Sequence, residues 1–258
     1  MKKYQKLINI LLITVLIVSA GLISCNSGGK GKSSKALKQD SIILISSNIN
    51  GAGKSIEIEM IKGKSHNHPT FAIWIEDTSG SYIQTIFVTQ ALAKGIFNYG
   101  DKSGGKWKPG EVRRPAALPY WSHKWGVKNE YGSYVPTSKN KVADAYSGAT
   151  PAGSFKLSSR TDNVKNGKVK LMLEINQPWD WNKYWTNTLY PNDIDYQTSC
   201  QPAVVYSAIL DMDKPGMNIQ MTPVGHSHYS GNTGELYPDL STITTALHIV
   251  EQINVVVK

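Results

Sequence analysis

The alternation within residues 71–89 (FAIWIEDTSGSYIQTIFVT) constrains the fold more than any other feature of the chain. Between Phe71 and Ile75 every second residue is large and apolar, which is the period of two typical of a β-strand. The tetrapeptide at 77–80 (DTSG) has turn chemistry, and a second run at 82–88 is rich in β-branched and aromatic residues. Because an isolated hairpin is marginal in water, we expect further strands to cover it.

Those further strands are predicted along the rest of the chain. No long amphipathic helix occurs, and two irregular stretches, 99–140 and 177–195, interrupt the pattern. A loop as long as 99–140 is usually functional or hides regular elements. The pattern predicts a mainly β fold, a β-sandwich with long irregular loops and little helix, in a single domain at 41–258. The strand candidates are residues 42–46, 56–60, 153–158, 169–175, 203–210, 217–221 and 249–257.

The N-terminal segment has the order of an export signal. Three lysines precede an apolar run at 7–18, which is short for a membrane span, and the run leads to 22–25 (LISC). This resembles a bacterial lipoprotein signal, and the resemblance implies a signal peptide at 1–24, cleavage before Cys25 and lipidation of Cys25. The alternatives are a plain secretory peptide and an uncleaved anchor. Residues 25–40, rich in Gly, Ser and Lys, are predicted to be a flexible tether.

Charge excludes one class of partner. The formal net charge is +9, but seven lysines and one aspartate lie before Ser41, which leaves 21 basic against 18 acidic residues. That balance, together with export, disfavours nucleic acid. We expect the membrane, reached through the lipid anchor, to be one partner, and a cell-envelope glycan or protein to be another, on the periplasmic side or at the cell surface.

Four segments occur in a characteristic order: FAIWIEDTSGSYIQTIFV, RRPAALPYWSHKWG, DAYSGATPAGSF and LMLEINQPWDWN. Together they span most of 71–182 and resemble a family of predicted periplasmic proteins classed as a domain of unknown function. The resemblance implies an immunoglobulin-like β-sandwich outside the cytoplasm. It implies no catalytic residues.

Residues 149–155 (ATPAGSF) resemble the TPxGxF segment of L,D-transpeptidases, which use a catalytic cysteine. The family's His-Gly pair and its Ser-His-Gly-Cys-x-Arg signature are missing from this sequence. Cys200 has no neighbouring histidine or arginine to lower its pKa, so we expect it to be a buried structural residue. The alternative for 149–155 is a turn that leads into a strand.

Five aromatic residues crowd one stretch: Trp179, Trp181, Tyr184, Trp185 and Tyr190. Three of them, Trp179, Trp181 and Trp185, are candidates for stacking on sugar rings, with Asp180, Asn182 and Asn187 as hydrogen-bonding neighbours. The alternative, which we favour from the sequence, is that the rings cover the sandwich core, because large aromatic side chains are mostly buried.

Two His-x-His pairs are the candidate metal ligands. His66 with His68 and His226 with His228 share one spacing, and four imidazoles would satisfy zinc or another divalent metal. His123 is the next candidate, with Asp144 or Glu235 as an added carboxylate. The alternative is that these rings hydrogen-bond the backbone, so no cofactor is required. The sequence therefore indicates a membrane-tethered cell-envelope lipoprotein that acts as a binding or structural module, with a metal-dependent or L,D-transpeptidase-like envelope enzyme as the alternative.

Overall fold

The computed structural model describes residues 41–258, so the predictions for 1–24, 25–40 and Cys25 lie outside the described residues. Within that range strands dominate, and the helices are short. The strands are β1 (Ile43–Ser47), β2 (Ser55–Lys62), β3 (Thr70–Glu76), β4 (Tyr82–Thr89), β5 (Ile96–Asp101), β6 (Lys108–Glu111), β7 (Ser147–Gly148), β8 (Phe155–Arg160), β9 (Lys168–Asn176), β10 (Val204–Asp211), β11 (Asn218–Gln220), β12 (Thr222–His226) and β13 (Val250–Val257). The α-helices are α1 (Gln90–Lys94), α2 (Pro119–Trp125) and α3 (Ile194–Ser199), and 3-10 turns occur at Asp144–Tyr146 and Thr245–His248.

The predicted mainly β sandwich is confirmed. One sheet has the order β1-β8-β2-β13-β11 and the other has the order β12-β10-β9-β3-β4-β7, while β5 and β6 form a separate hairpin. All pairings are antiparallel except β1 with β8 and β4 with β7. The immunoglobulin-like strand order stays a prediction. No helix in 41–258 has the length and apolar character needed to cross a membrane.

The main core lies between the two large sheets. Phe71 of β3 stacks on Phe155 of the facing sheet and on Phe87 of β4, each with ring centroids 5.3 Å apart. The alternating residues of β2 point into this core, and Ile56, Ile58 and Met60 are fully buried. Such burial is the main source of stability, at about 25 cal/mol per Å² of apolar surface.

A second core covers the outer face of the six-stranded sheet. Trp74 of β3 and Met172 of β9 point away from the main core and pack with Leu118, Tyr120 and Trp121, which lie in and just before α2. The Trp121 indole N–H donates to Thr85 Oγ1 at 3.0 Å. Both faces of β3 and β9 are therefore dry, which the simple alternation of the sequence does not show.

Local turn chemistry follows the sequence, whereas the irregular stretches contain more structure than predicted. The β3–β4 turn closes through the Asp77 N–H and the Ser81 carbonyl at 2.9 Å, and Gly80 has a positive φ of 95°. The stretch 99–140 contains the second half of β5, together with β6 and α2, so the prediction that it is irregular throughout is wrong. Helix α2 begins at Pro119 and ends before Gly126 in the left-handed conformation, the usual proline start and glycine stop.

Candidate functional site

Residues 177–199, named here the aromatic loop, are held in place by a side chain inside the loop. The Asn182 side-chain oxygen accepts the backbone N–H groups of Tyr184 and Trp185 at 2.8 and 2.7 Å. Its amide donates to the Thr242 carbonyl at 2.8 Å, which ties the loop to the segment before β13. Asparagine suits this role because its side chain mimics a backbone turn.

This anchoring sorts the tryptophans into two groups. Trp179 and Trp181 have 61% and 55% of their surface exposed, whereas Trp185 is 7% exposed and donates its indole N–H to Thr242 Oγ1 at 3.1 Å. Tyr184, at 56%, is exposed as well. The prediction that the rings cover the core is wrong for Trp179, Trp181 and Tyr184, because the Asn182 turn directs them outward. The prediction is confirmed for Trp185, which is buried, so the exposed rings of this loop include Tyr184 and exclude Trp185.

The backbone at Trp179 is strained. Its φ is +56°, a conformation that costs a residue other than glycine about 1–3 kcal/mol. The Trp179 N–H donates to the Thr198 carbonyl at 3.0 Å, so neighbouring hydrogen bonds hold the strained conformation. Strain maintained at an exposed aromatic residue is a feature of functional surfaces.

The three polar residues near the tryptophans, Asp180, Asn182 and Asn187, differ in whether their side chains are free to contact a ligand. Asn182 is fully used within the fold, and Asp180 Oδ1 accepts a short hydrogen bond from the Thr245 hydroxyl. Burial raises the pKa of Asp180, although its hydrogen bonds with Thr245 and Gln201 lower it. Asn187 is exposed and makes no hydrogen bond within 41–258. Of the three, Asn187 is therefore the one free to contact a ligand.

Stacked rings connect the base of the aromatic loop to the histidines. Tyr190 stacks on Tyr229 with centroids 4.2 Å apart, and Tyr229 stacks on His228 at 4.4 Å. His226 is nearly buried, and its Nδ1–H donates to the Ser227 carbonyl at 2.8 Å. His228 Nδ1 instead accepts the Ser230 N–H at 3.2 Å.

His228 has acidic and basic neighbours. Burial lowers the pKa of His228, Asp193 and Glu235 raise it, and His123 and His226 lower it. His123 is therefore close enough to His228 to affect its charge. Of the two predicted carboxylates, Glu235 accepts the Tyr237 hydroxyl at 2.9 Å, while Asp144 is paired with Lys94 at 3.3 Å.

The four-histidine site is not assembled. His66 lies beside the Pro151 carbonyl at 3.4 Å, and burial lowers its pKa, while His68 contacts Asn67. Cross-strand register places His226 beside Val204, Val204 beside Ile175 and Ile175 beside Phe71. His68 lies three residues before Phe71, so the two pairs are about three strand spacings apart, roughly 14 Å. In the part of the chain that the structure describes, no three His, Cys, Asp or Glu side chains form a group able to hold a metal ion. Metal binding by the pair His226 and His228 stays a prediction, and His123 does not complete a group of three with them within residues 41–258.

A cavity of about 620 Å³, named here the loop cavity, opens beside His123. It lies among the segment after β6, the end of α2, the start of α3 and the turn after β12, and its charged lining groups are Glu111, Arg113 and Asp195. Its volume is typical of small-molecule sites. Except for His123, the sequence reasoning did not single out its residues. The length of the 99–140 stretch was the one signal that could have found it.

A buried carboxylate supports the wall of this region. Glu174 of β9 is fully buried and accepts the N–H groups of Tyr120 and Trp121 at 3.2 and 2.7 Å. Burial raises the pKa of Glu174 to about 8, although the two N–H groups and the Ser227 hydroxyl lower it. Glu174 therefore fixes the start of α2, and with it His123 two residues beyond Trp121.

Cys200 and the TPxGxF segment lie in surroundings typical of structural residues and not of a catalytic site. Cys200 is fully buried and free, and burial, followed by the negative charge of Asp180, raises the pKa of its thiol. Residues 149–155 form a bend that leads into β8, where Ser154 Oγ accepts the Lys62 N–H at 3.1 Å. A cysteine nucleophile needs an exposed, low-pKa thiol, and Cys200 has neither property.

Comparisons with models of protein families, with curated proteins and with solved structures find no match to this chain. The resemblances to a lipoprotein signal, a periplasmic family and a transpeptidase segment therefore stay predictions.

Proposed function

We propose that this protein is a cell-envelope lipoprotein whose domain 41–258 binds glycan through the aromatic loop. In this proposal residues 1–24 direct export, Cys25 carries the lipid and residues 25–40 tether the domain to the membrane. A chain of sixteen residues has a root-mean-square reach of roughly 20–25 Å, which keeps the domain near the membrane surface.

The observation that carries the proposal is the pair of solvent-facing indoles, Trp179 and Trp181, on a loop that is anchored internally. Exposed apolar side chains that are grouped on one surface mark an interaction site more often than single ones do, and this loop exposes Trp179, Trp181 and Tyr184 within six residues. The face of an indole ring carries partial negative charge, which attracts the polarised C–H groups on the flat face of a pyranose ring. Tyr184 and Asn187 are exposed on the same loop, and the Asn187 amide has no hydrogen-bond partner within residues 41–258.

Rigidity favours binding by this surface. The contacts of Asn182 and the hydrogen bond from Trp179 to Thr198 fix the loop before any ligand arrives. A preorganised surface loses less conformational entropy when it binds, so a modest contact area yields useful affinity. The strained φ of Trp179 is explained if the outward orientation of its ring has a function.

An envelope enzyme is the alternative function, and fewer observations favour it. The buried position of Cys200 and its raised pKa oppose a transpeptidase-like nucleophile. A metal-dependent enzyme would need three ligands such as His226, His228 and His123 to converge on one ion, and no such group of three forms within residues 41–258.

The test is a fluorescence titration of the full-length protein, in a polyoxyethylene detergent that contains no sugar, with chitotetraose and with soluble glycan strands from cell walls. We expect saturable binding that weakens about tenfold or more in Trp179→Ala and in Trp181→Ala, because central aromatic residues dominate binding energy. The matched control is Trp107→Ala, since Trp107 is 56% exposed on the β5–β6 hairpin, outside the aromatic loop. Equal affinity in all variants, or no binding of either glycan, would contradict the proposal.

A further inference from the structure

The loop cavity contains two opposite charges that no side chain within residues 41–258 pairs. Arg113 is exposed, and its guanidinium lies over the Tyr131 ring at 4.4 Å. Within the described residues it has no ion pair and no hydrogen-bond acceptor. Asp195 is half-buried at the first turn of α3, and no donor reaches its carboxylate in the same part of the chain.

The two groups attract each other but do not meet. Burial raises the pKa of Asp195, as does the neighbouring Asp193, while the positive charge of Arg113 lowers it. No Arg113–Asp195 ion pair shorter than 4.0 Å forms in residues 41–258, although both side chains line the same cavity. Because Asp195 is half-buried, a ligand cation beside it would form an ion pair that is stronger than one in open water.

The remaining walls define the rest of the ligand. Val112, Pro115 and Val135 supply apolar surface, and Tyr134 packs against the His123 ring with centroids 4.4 Å apart. His123 Nδ1 donates to the Pro119 carbonyl at 2.8 Å, so Nε2 of the neutral ring carries a lone pair that can accept a ligand N–H. Glu111 is partly satisfied already, because the Ser138 hydroxyl donates to it at 2.6 Å.

From this arrangement we infer that the loop cavity binds a small zwitterion of the amino-acid or short-peptide class. The ligand carboxylate contacts Arg113 and the ligand ammonium group contacts Asp195, while aliphatic side chains lie against the valine and proline walls. Arginine suits the first role because its guanidinium fork matches a carboxylate in two parallel hydrogen bonds. The cavity volume of about 620 Å³ accommodates a dipeptide.

The experiment is isothermal titration calorimetry of the full-length protein with leucine and with leucyl-leucine. Two blocked probes separate the charges: N-acetyl-leucyl-leucine lacks the ammonium group, and leucyl-leucinamide lacks the carboxylate. We expect leucyl-leucine to bind, and each blocked probe, as well as each of the variants Arg113→Gln and Asp195→Asn, to bind about tenfold or more weakly. The acetylated probe should be insensitive to Asp195→Asn, and the amide should be insensitive to Arg113→Gln.

Matched controls are Lys141→Gln and Glu251→Gln, which remove exposed charges outside the cavity and should leave the dipeptide affinity unchanged. Trp179→Ala should also leave it unchanged, so failure of the glycan proposal and failure of this one are distinguishable. The inference is overturned if neither leucine nor leucyl-leucine gives saturable heat up to about 10 mM, because that concentration is about ten times a weak dissociation constant of about 1 mM. Equal binding of the free and blocked dipeptides overturns it as well.

Discussion

Replacing the buried carboxylate with an amide, in Glu174→Gln, should change how stability depends on pH. Burial raises the folded-state pKa to about 8, from an ordinary value of 4.5. Below pH 4.5 the side chain is protonated in both the folded and the unfolded chain. As the pH rises towards 8, the unfolded chain ionises first, so stability is lost progressively through this window. Each pKa unit corresponds to about 1.4 kcal/mol, so the loss approaches about 5 kcal/mol at pH 8.

The amide removes this dependence but has a cost of its own. Two backbone N–H groups, those of Tyr120 and Trp121, donate to the two carboxyl oxygens, and glutamine offers an oxygen to only one of them. The unpaired N–H costs about 1–3 kcal/mol. The variant should therefore be less stable than the parent at pH 4.5 and more stable at pH 8, with the two curves crossing at about pH 5 to 7.

Urea denaturation of the fragment 41–258 at half-unit steps from pH 4.5 to 8, monitored by circular dichroism, measures this difference. Glu251→Gln is the control, because Glu251 is exposed on β13 and its removal should shift the curve without changing its slope. If the free energies of unfolding of Glu174→Gln and of the parent stay parallel across this range, Glu174 is ionised in the folded protein and the reasoning is refuted.

Three further predictions concern the anchor, the cysteine and the histidines. Cys25→Ala should release the protein from membranes or leave it unprocessed, and unchanged membrane fractionation and electrophoretic mobility would contradict lipidation. Cys200→Ser should retain glycan binding but lose about 1–2 kcal/mol of stability, because the buried hydroxyl needs a hydrogen bond. Native Cys200 should react more slowly than a free thiol with a labelling reagent at neutral pH, and faster labelling would indicate an activated nucleophile. If the pair of His226 and His228 binds zinc, elemental analysis should find metal that is lost as the pH falls below about 6.5. Burial lowers the pKa of His228, so this ring should become protonated, and stop binding zinc, at a lower pH than an ordinary histidine. A metal-free protein after dialysis against zinc at pH 7.5 would end the metal proposal.

The sequence predicts the elements that depend on local chemistry. The alternation of Ile56, Ile58 and Met60 with glutamates marks one buried face of β2, and the burial pattern of that strand follows it residue by residue. The turn at Gly80 is equally local, because a positive φ favours glycine whatever surrounds it. Such features need only a period of two and turn chemistry.

The covering of the second sheet face needs information from distant parts of the chain. Trp74 and Glu174 occupy the alternate positions of their strands, which in a simple sandwich would face water. They are buried because α2, which lies more than forty residues from either of them, folds over that face. The charge of Glu174 gives no hint of its burial, since its partners are backbone N–H groups.

The candidate sites divide in the same way. Composition identifies the cluster that contains Trp179, Trp181 and Trp185, but the contacts of Asn182 with Thr242 decide which indoles are exposed. The histidine pairs share a spacing in the sequence, yet the sheet order β12-β10-β9-β3 keeps them apart. Strand order is a long-range property, so neither the separation of the pairs nor the loop cavity follows from spacing alone.

The most direct test of glycan binding is a proton–nitrogen correlation NMR spectrum of the indole N–H groups, recorded on the full-length protein during titration with chitotetraose. Seven tryptophans give seven indole signals, which single substitutions assign. The proposal predicts that the signals of Trp179 and Trp181 shift in a saturable way, while those of the buried Trp74 and Trp121 stay fixed. Shifts confined to Trp107 or to other residues outside the aromatic loop, or an unchanged spectrum at saturating glycan, would contradict it.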